Sequence, residues 1–154
     1  MRIFYRAKDG SIRSFEADKD TRKNRTYDKG TYYICKLPYK NVLEKEYGII
    51  KNDDVVITNE RILHIEERRD TKSYDRIMSE LKNVIKQCDA VYDDSEGRDG
   101  PGVLVSKSYD DGKTIMLVVS LSTKNSKNAC SVITGIMVGD KTIKRVTKNR
   151  KRIV

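Results

Sequence analysis

The stretch SYDRIMSELKNVIKQCDAVYDD, residues 73–94, decides the fold. Within it Tyr74, Ile77, Met78, Leu81, Val84, Ile85 and Cys88 recur at spacings of three and four, the period of one face of an α-helix. That pattern makes Cys88 a core residue, not a nucleophile. Directly after it the period changes to that of strands. Runs at 90–92, 103–109, 113–121 and 130–138 are rich in β-branched and aromatic residues. They are separated by Asp99-Gly100-Pro101-Gly102, by Asp110-Asp111-Gly112 and by a polar loop at 122–128. Short turns between consecutive strands imply an antiparallel meander, and helices preceding it would cover one face. The fold class expected is therefore α+β, with helices packed on an antiparallel β-meander.

Upstream, residues 55–57 read as a strand, and Thr58 is placed to cap a helix running to about Arg69. Residues 2–6 and 11–17 flank Lys8-Asp9-Gly10, a turn signal that predicts a β-hairpin. The polar segment 19–30 reads as a loop leading to a strand over 31–36, where Tyr32, Tyr33 and Ile34 favour β structure. A short helix follows Pro38, carries Val42, Leu43 and Tyr47, and ends at Gly48. A chain of 154 residues suits one domain. Within it, residues 1–38 form an N-terminal hairpin and connecting strand, and residues 39–154 the main body with a basic tail.

The charge lies downstream. Seven basic residues and no acidic one occur in 141–154: Lys141, Lys144, Arg145, Lys148, Arg150, Lys151 and Arg152. The formal net charge is +9, so the rest of the chain carries only +2. A concentrated positive field of this kind either recruits a polyanion such as RNA or DNA or is a solvated tail. No run approaches the roughly 20 apolar residues that cross a bilayer, and the N-terminus has no apolar signal segment, so no membrane partner and a cytoplasmic location are expected. Three cysteines far apart, without C-x-x-C, and one histidine give no metal site and imply no cofactor. The pairs Asp53-Asp54, Asp93-Asp94 and Asp110-Asp111 fall at turns or element boundaries, where aspartate serves the backbone. Nucleotide-binding loops, hydrolase elbows and zincin motifs are missing.

His64 is the single histidine. At 100° per residue, Arg61, His64 and Arg68 share one edge of their helix, a grouping able to bind phosphate and move a proton. On the residues alone, a half-buried, hydrogen-bonded histidine is the more common role.

The segment Val56-Ile57-Thr58-Asn59-Glu60-Arg61-Ile62-Leu63-His64-Ile65-Glu66-Glu67-Arg68-Arg69, the amphipathic helix after it, Val103-Leu104-Val105-Ser106-Lys107 and Ser131-Val132-Ile133-Thr134 occur in that order before the basic end. Together, over residues 40–154, they resemble the phage and mobile-element branch (PBECR) of the barnase, EndoU, colicin and RelE nuclease superfamily. The resemblance implies a barnase/RelE-like, nuclease-like domain and a metal-independent endoribonuclease, toxin-like and mobile-element encoded. Such an enzyme cleaves RNA by attack of the 2′-OH on the adjacent phosphate. RNA is then the partner, with a neutralising antitoxin protein as a further one. His64 would transfer the proton, with Glu67, Lys107 or water in the second such role. Arg68 and Lys107 would clamp phosphate, Ser131 and Thr134 would orient it, and Arg61, Arg69, Lys144, Arg145 and Lys148 would bind the rest of the substrate.

Three positions depart from the family pattern: Arg69 stands for a second histidine, Ser120 for a commonly basic residue and Cys130 for an asparagine. These leave a noncatalytic RNA-binding or regulatory protein as the alternative. The enzymatic reading requires His64, Arg68, Lys107, Ser131 and Thr134 to meet in one groove. Ser131 and Thr134 are three apart, so a regular strand would point them to opposite faces unless a bulge intervenes.

Overall fold

The computed structural model describes residues 1–20, 27–123 and 129–154. Its elements are β1 (Arg2–Arg6), β2 (Ile12–Glu16), β3 (Thr31–Lys36), α1 (Lys40–Tyr47), β4 (Asp54–Thr58), α2 (Asn59–Arg68) and α3 (Thr71–Lys86). There follow β5 (Ala90–Asp93), β6 (Gly102–Ser108), β7 (Lys113–Ser120), β8 (Cys130–Gly139) and α4 (Asp140–Thr147). The fold is α+β. Strands β5 to β8 form the antiparallel meander that the period change predicts. The sheet continues past β8 with β4, which runs parallel to it, and ends with β3, giving the order β3-β4-β8-β7-β6-β5.

Local chemistry explains the helix starts. The Thr58 hydroxyl accepts a hydrogen bond from the Arg61 amide at 3.2 Å, and the Asp70 carboxylate accepts one from the Ser73 amide at 3.0 Å, each satisfying an otherwise orphaned donor. The apolar stripe of α3 is buried from Tyr74 to Ile85, on the sheet face that carries Val55, Val105, Leu117 and Val132. Gly135 makes that approach possible, since a Cβ there would stand 2.9 Å from both Ile77 Cγ2 and Leu117 Cδ2.

Tyr5, Phe15 and Ile34 belong to this same core, and the Tyr5 and Tyr74 hydroxyls lie 2.5 Å apart. Residues 1–38 thus share the core of the remainder and do not build their own. Cys35, Cys88 and Cys130 are free thiols, and burial pushes those of Cys35 and Cys130 up to about 12 and about 11. Among the described residues no helix is long and apolar enough to cross a membrane.

The basic segment is not a free tail. Helix α4 folds back over the sheet face opposite α3, so that Val146 lines one cavity with Met116, Val118 and Ile136. The chain then returns along β5. Asp93 donates its amide to Lys151, Ile153 and Val154 both donate to Val91, and Val91 donates to Val154. Arg150 pairs with Asp94 at 3.0 Å and Lys151 with Glu46 at 2.8 Å. The segment therefore closes one edge of the sheet.

Candidate nucleic-acid interface

Strand β8 carries an irregularity that sets its side chains. Val119 faces Val132, yet the next residue of β7, Val118, faces Thr134, so Ile133 has no partner opposite. This bulge turns the odd spacing into an even one. Ser131 pairs with Ser120 and Thr134 with Val118, and both hydroxyls stand on the face away from α3.

On that face residues 97–101, residues 121–123 and 129, and Tyr27 and Asp28 rise around a cleft of about 670 Å³. Its floor is Val56, Ser120 and Ser131, and its basic groups are Arg61, from the first turn of α2, and Arg98. Arg61 has no ion pair among the described residues, whereas Arg98 is tied to the Asp94 carboxylate at 2.7 Å. Asp94 also takes Arg150, so two guanidiniums offset its charge. Beside the cleft, Asp54 is fully buried between Lys36 Nζ at 3.2 Å and the Tyr27 hydroxyl at 2.5 Å, which fixes Tyr27 at the rim.

The five-residue groove expected from the sequence does not form. Ser131 lies in the cleft and Thr134 farther along the same face, beneath α4. His64 lines a separate shallow groove on α2 with Glu60, Arg61, Leu63 and Glu67, whose two carboxylates oppose phosphate. Arg68 is exposed at the end of α2, outside the cleft. Lys107 is on the opposite side of the sheet. It pairs across the ladder with the core residue Ile115 and donates to the Gln87 carbonyl at 3.3 Å, where the last turn of α3 attracts a cation.

Arg69 is likewise a structural residue rather than a substrate-binding one. Its Nε donates to the Gly135 carbonyl at 2.7 Å, just past the bulge, and desolvation followed by the neighbouring Arg68 lowers its pKa. Arg69→Ala is expected to cost about 1–3 kcal/mol of stability, through the unmatched carbonyl, with RNA affinity unchanged. Thermal unfolding and a binding titration on one preparation check this.

The tail cations divide into two groups. Arg150, Lys151 and Arg152 hold the C-terminal segment to Asp94, Glu46 and the Asp89 carbonyl. Lys141, Lys144, Arg145 and Lys148 are exposed and make no ion pair among the described residues. Their spacing puts them on one side of α4, opposite Val146.

Sequence reasoning missed Arg98 and Tyr27, which sit in stretches that read as linkers. A lone arginine within Glu96-Gly97-Arg98-Asp99-Gly100-Pro101-Gly102 was the available signal, since glycines let a backbone approach a ligand closely. The departure at Cys130 lies on the α3 side and does not touch the cleft, whereas Ser120 is part of its floor. No protein-family model matches the chain, and neither the curated proteins nor the solved structures compared with it give a match.

Proposed function

We propose that this protein binds single-stranded RNA across the open face of its sheet. Arg61 and Arg98 meet phosphates, Ser120 and Ser131 hydrogen-bond phosphate or ribose oxygens, and the stripe Lys141, Lys144, Arg145 and Lys148 guides the flanking backbone. The observation that carries this is Arg61, a guanidinium that forms no ion pair among the described residues and lines a cleft with the hydroxyls of Ser120 and Ser131. A ribose 2′-OH, both donor and acceptor, is the group that paired serine hydroxyls can recognise and DNA lacks. The resemblance of residues 40–154 to a nuclease superfamily supports the same ligand. The free cysteines suit a reducing cytoplasm as its place of action.

The test is a titration of a labelled single-stranded RNA in EDTA over a range of salt. Binding should weaken by about 0.7 log units per log unit of salt for each phosphate engaged. Affinity independent of salt, or equal for the DNA of the same sequence, would overturn the reading.

A second reading, metal-independent cleavage of that RNA, is favoured by one observation: Arg61 lines both the cleft and the His64 groove, so the histidine lies within one helical turn of a cleft residue. A positioned proton-transfer group contributes about 10²- to 10⁴-fold to rate. Chelator-resistant cleavage that disappears in His64→Ala supports this reading, and intact RNA leaves a binding protein.

A further inference from the structure

Beneath α4 the same sheet face holds a second cavity, of about 210 Å³. We propose that it receives one unstacked nucleobase of the RNA, with the attached phosphate at Arg98. This rests on the RNA reading above.

Leu104, Met116, Val118, Ile136 and Val146 give the cavity apolar walls, Thr134 lines it with them, and Asp94, Arg98 and Arg150 make its charged side. The Thr134 hydroxyl oxygen is buried and has no hydrogen-bond partner among the described residues. Enclosing a hydroxyl without a partner is unfavourable. The bulge at Ile133 is what places it there, since without the extra residue Thr134 would face α3. A disturbed ladder and an unmatched hydroxyl at one point are the kind of arrangement that a ligand completes.

The shape and chemistry suit a nucleobase. A dry cavity of about 150 Å³ holds a benzene ring, and this one is larger. A hydroxyl rotor can donate or accept, so once α4 shifts to admit a ring and uncovers it, it can meet the polar edge of a base, and the Met116 thioether, buried in the free protein, is then a good neighbour for an aromatic ring. Arg98 lines this cavity and the cleft alike, so a nucleotide with its base here has its phosphate on the path through the cleft. Helix α4 has no fully buried residue, so its adjustment around a ring does not disturb the core.

The experiment compares the affinity of a short oligouridylate with that of an abasic ribose-phosphate chain of equal length, in EDTA. It uses the wild type, Thr134→Val, which removes the hydroxyl and keeps the shape, and Val146→Phe, which fills the cavity from α4. The wild type should prefer the base-bearing chain about tenfold, and both variants should lose that preference. Thr134→Val should melt no lower than the wild type, since it removes an unmatched polar group, which separates lost recognition from lost folding. No preference in the wild type, or a preference kept by either variant, overturns the base pocket and leaves the RNA reading standing. Failure of the wild type to bind either chain overturns both.

Discussion

Deletion of residues 141–154 will lower the melting temperature as well as the RNA affinity. Four backbone hydrogen bonds join this segment to β5, at Asp93, Val91, Ile153 and Val154, and the Ile153 side chain packs on the core. At a net value of roughly 0.5–1.5 kcal/mol for each hydrogen bond, the loss is about 4 kcal/mol, a large share of a domain's stability. It will also open the edge of β5 to other chains, so the truncated protein should aggregate more readily.

Replacement of Lys141, Lys144, Arg145 and Lys148 by glutamine isolates the electrostatic part. These four side chains are exposed and unpaired among the described residues, so the melting temperature should stay within a few degrees of the wild type. The salt slope should fall by about 0.7 for each phosphate contact removed. A truncation that melts like the wild type would refute the docked segment. An unchanged slope in the fourfold variant would refute the role of the α4 stripe.

Arg61→Ala should produce the largest change in affinity of any single substitution. The guanidinium lines the cleft and forms no ion pair among the described residues, although Asp28 and Asp99 line the cleft too. A charge-assisted hydrogen bond to phosphate is worth about 1.5–3 kcal/mol, so affinity should drop roughly tenfold to a hundredfold. Arg98→Ala should lose less, because Asp94 already holds that side chain in the free protein. Lys107→Ala serves as the control from the opposite side of the sheet, with RNA affinity equal to the wild type. Equal losses at Arg61 and Lys107 would show that the cleft face is not the binding face.

Much of this architecture was legible because it is local. Periodicity in residues 73–88 and the glycine and aspartate turns after residue 90 are written into neighbouring positions, and the helix cap at Thr58 acts within three residues. The pairing of β4 with β8 is of another kind. It joins Val55 to Cys130 in parallel across nearly half of the chain, and no local pattern announces it.

The candidate site depended on decisions of that second kind. The sequence alone placed Arg61 and His64 on one helix edge, and the two do share a groove. It marked Ser131 and Thr134 as an odd-spaced pair that needed a bulge to share a face, and a one-residue shift of ladder register supplies it. It could not say on which side of the sheet Lys107 falls, because strand alternation fixes relative faces and only packing against α3 decides which is inside. Nor could it reveal that the basic end folds back. Fourteen residues rich in lysine and arginine read either as a polyanion-recruiting end or as a solvated tail until Asp94, Glu46 and the open edge of β5, remote in sequence, meet them in space. Composition and local period determined the elements and their order. The faces, the bulge and the docked terminus were decided by tertiary contacts between residues far apart, whose energies no short window of sequence contains.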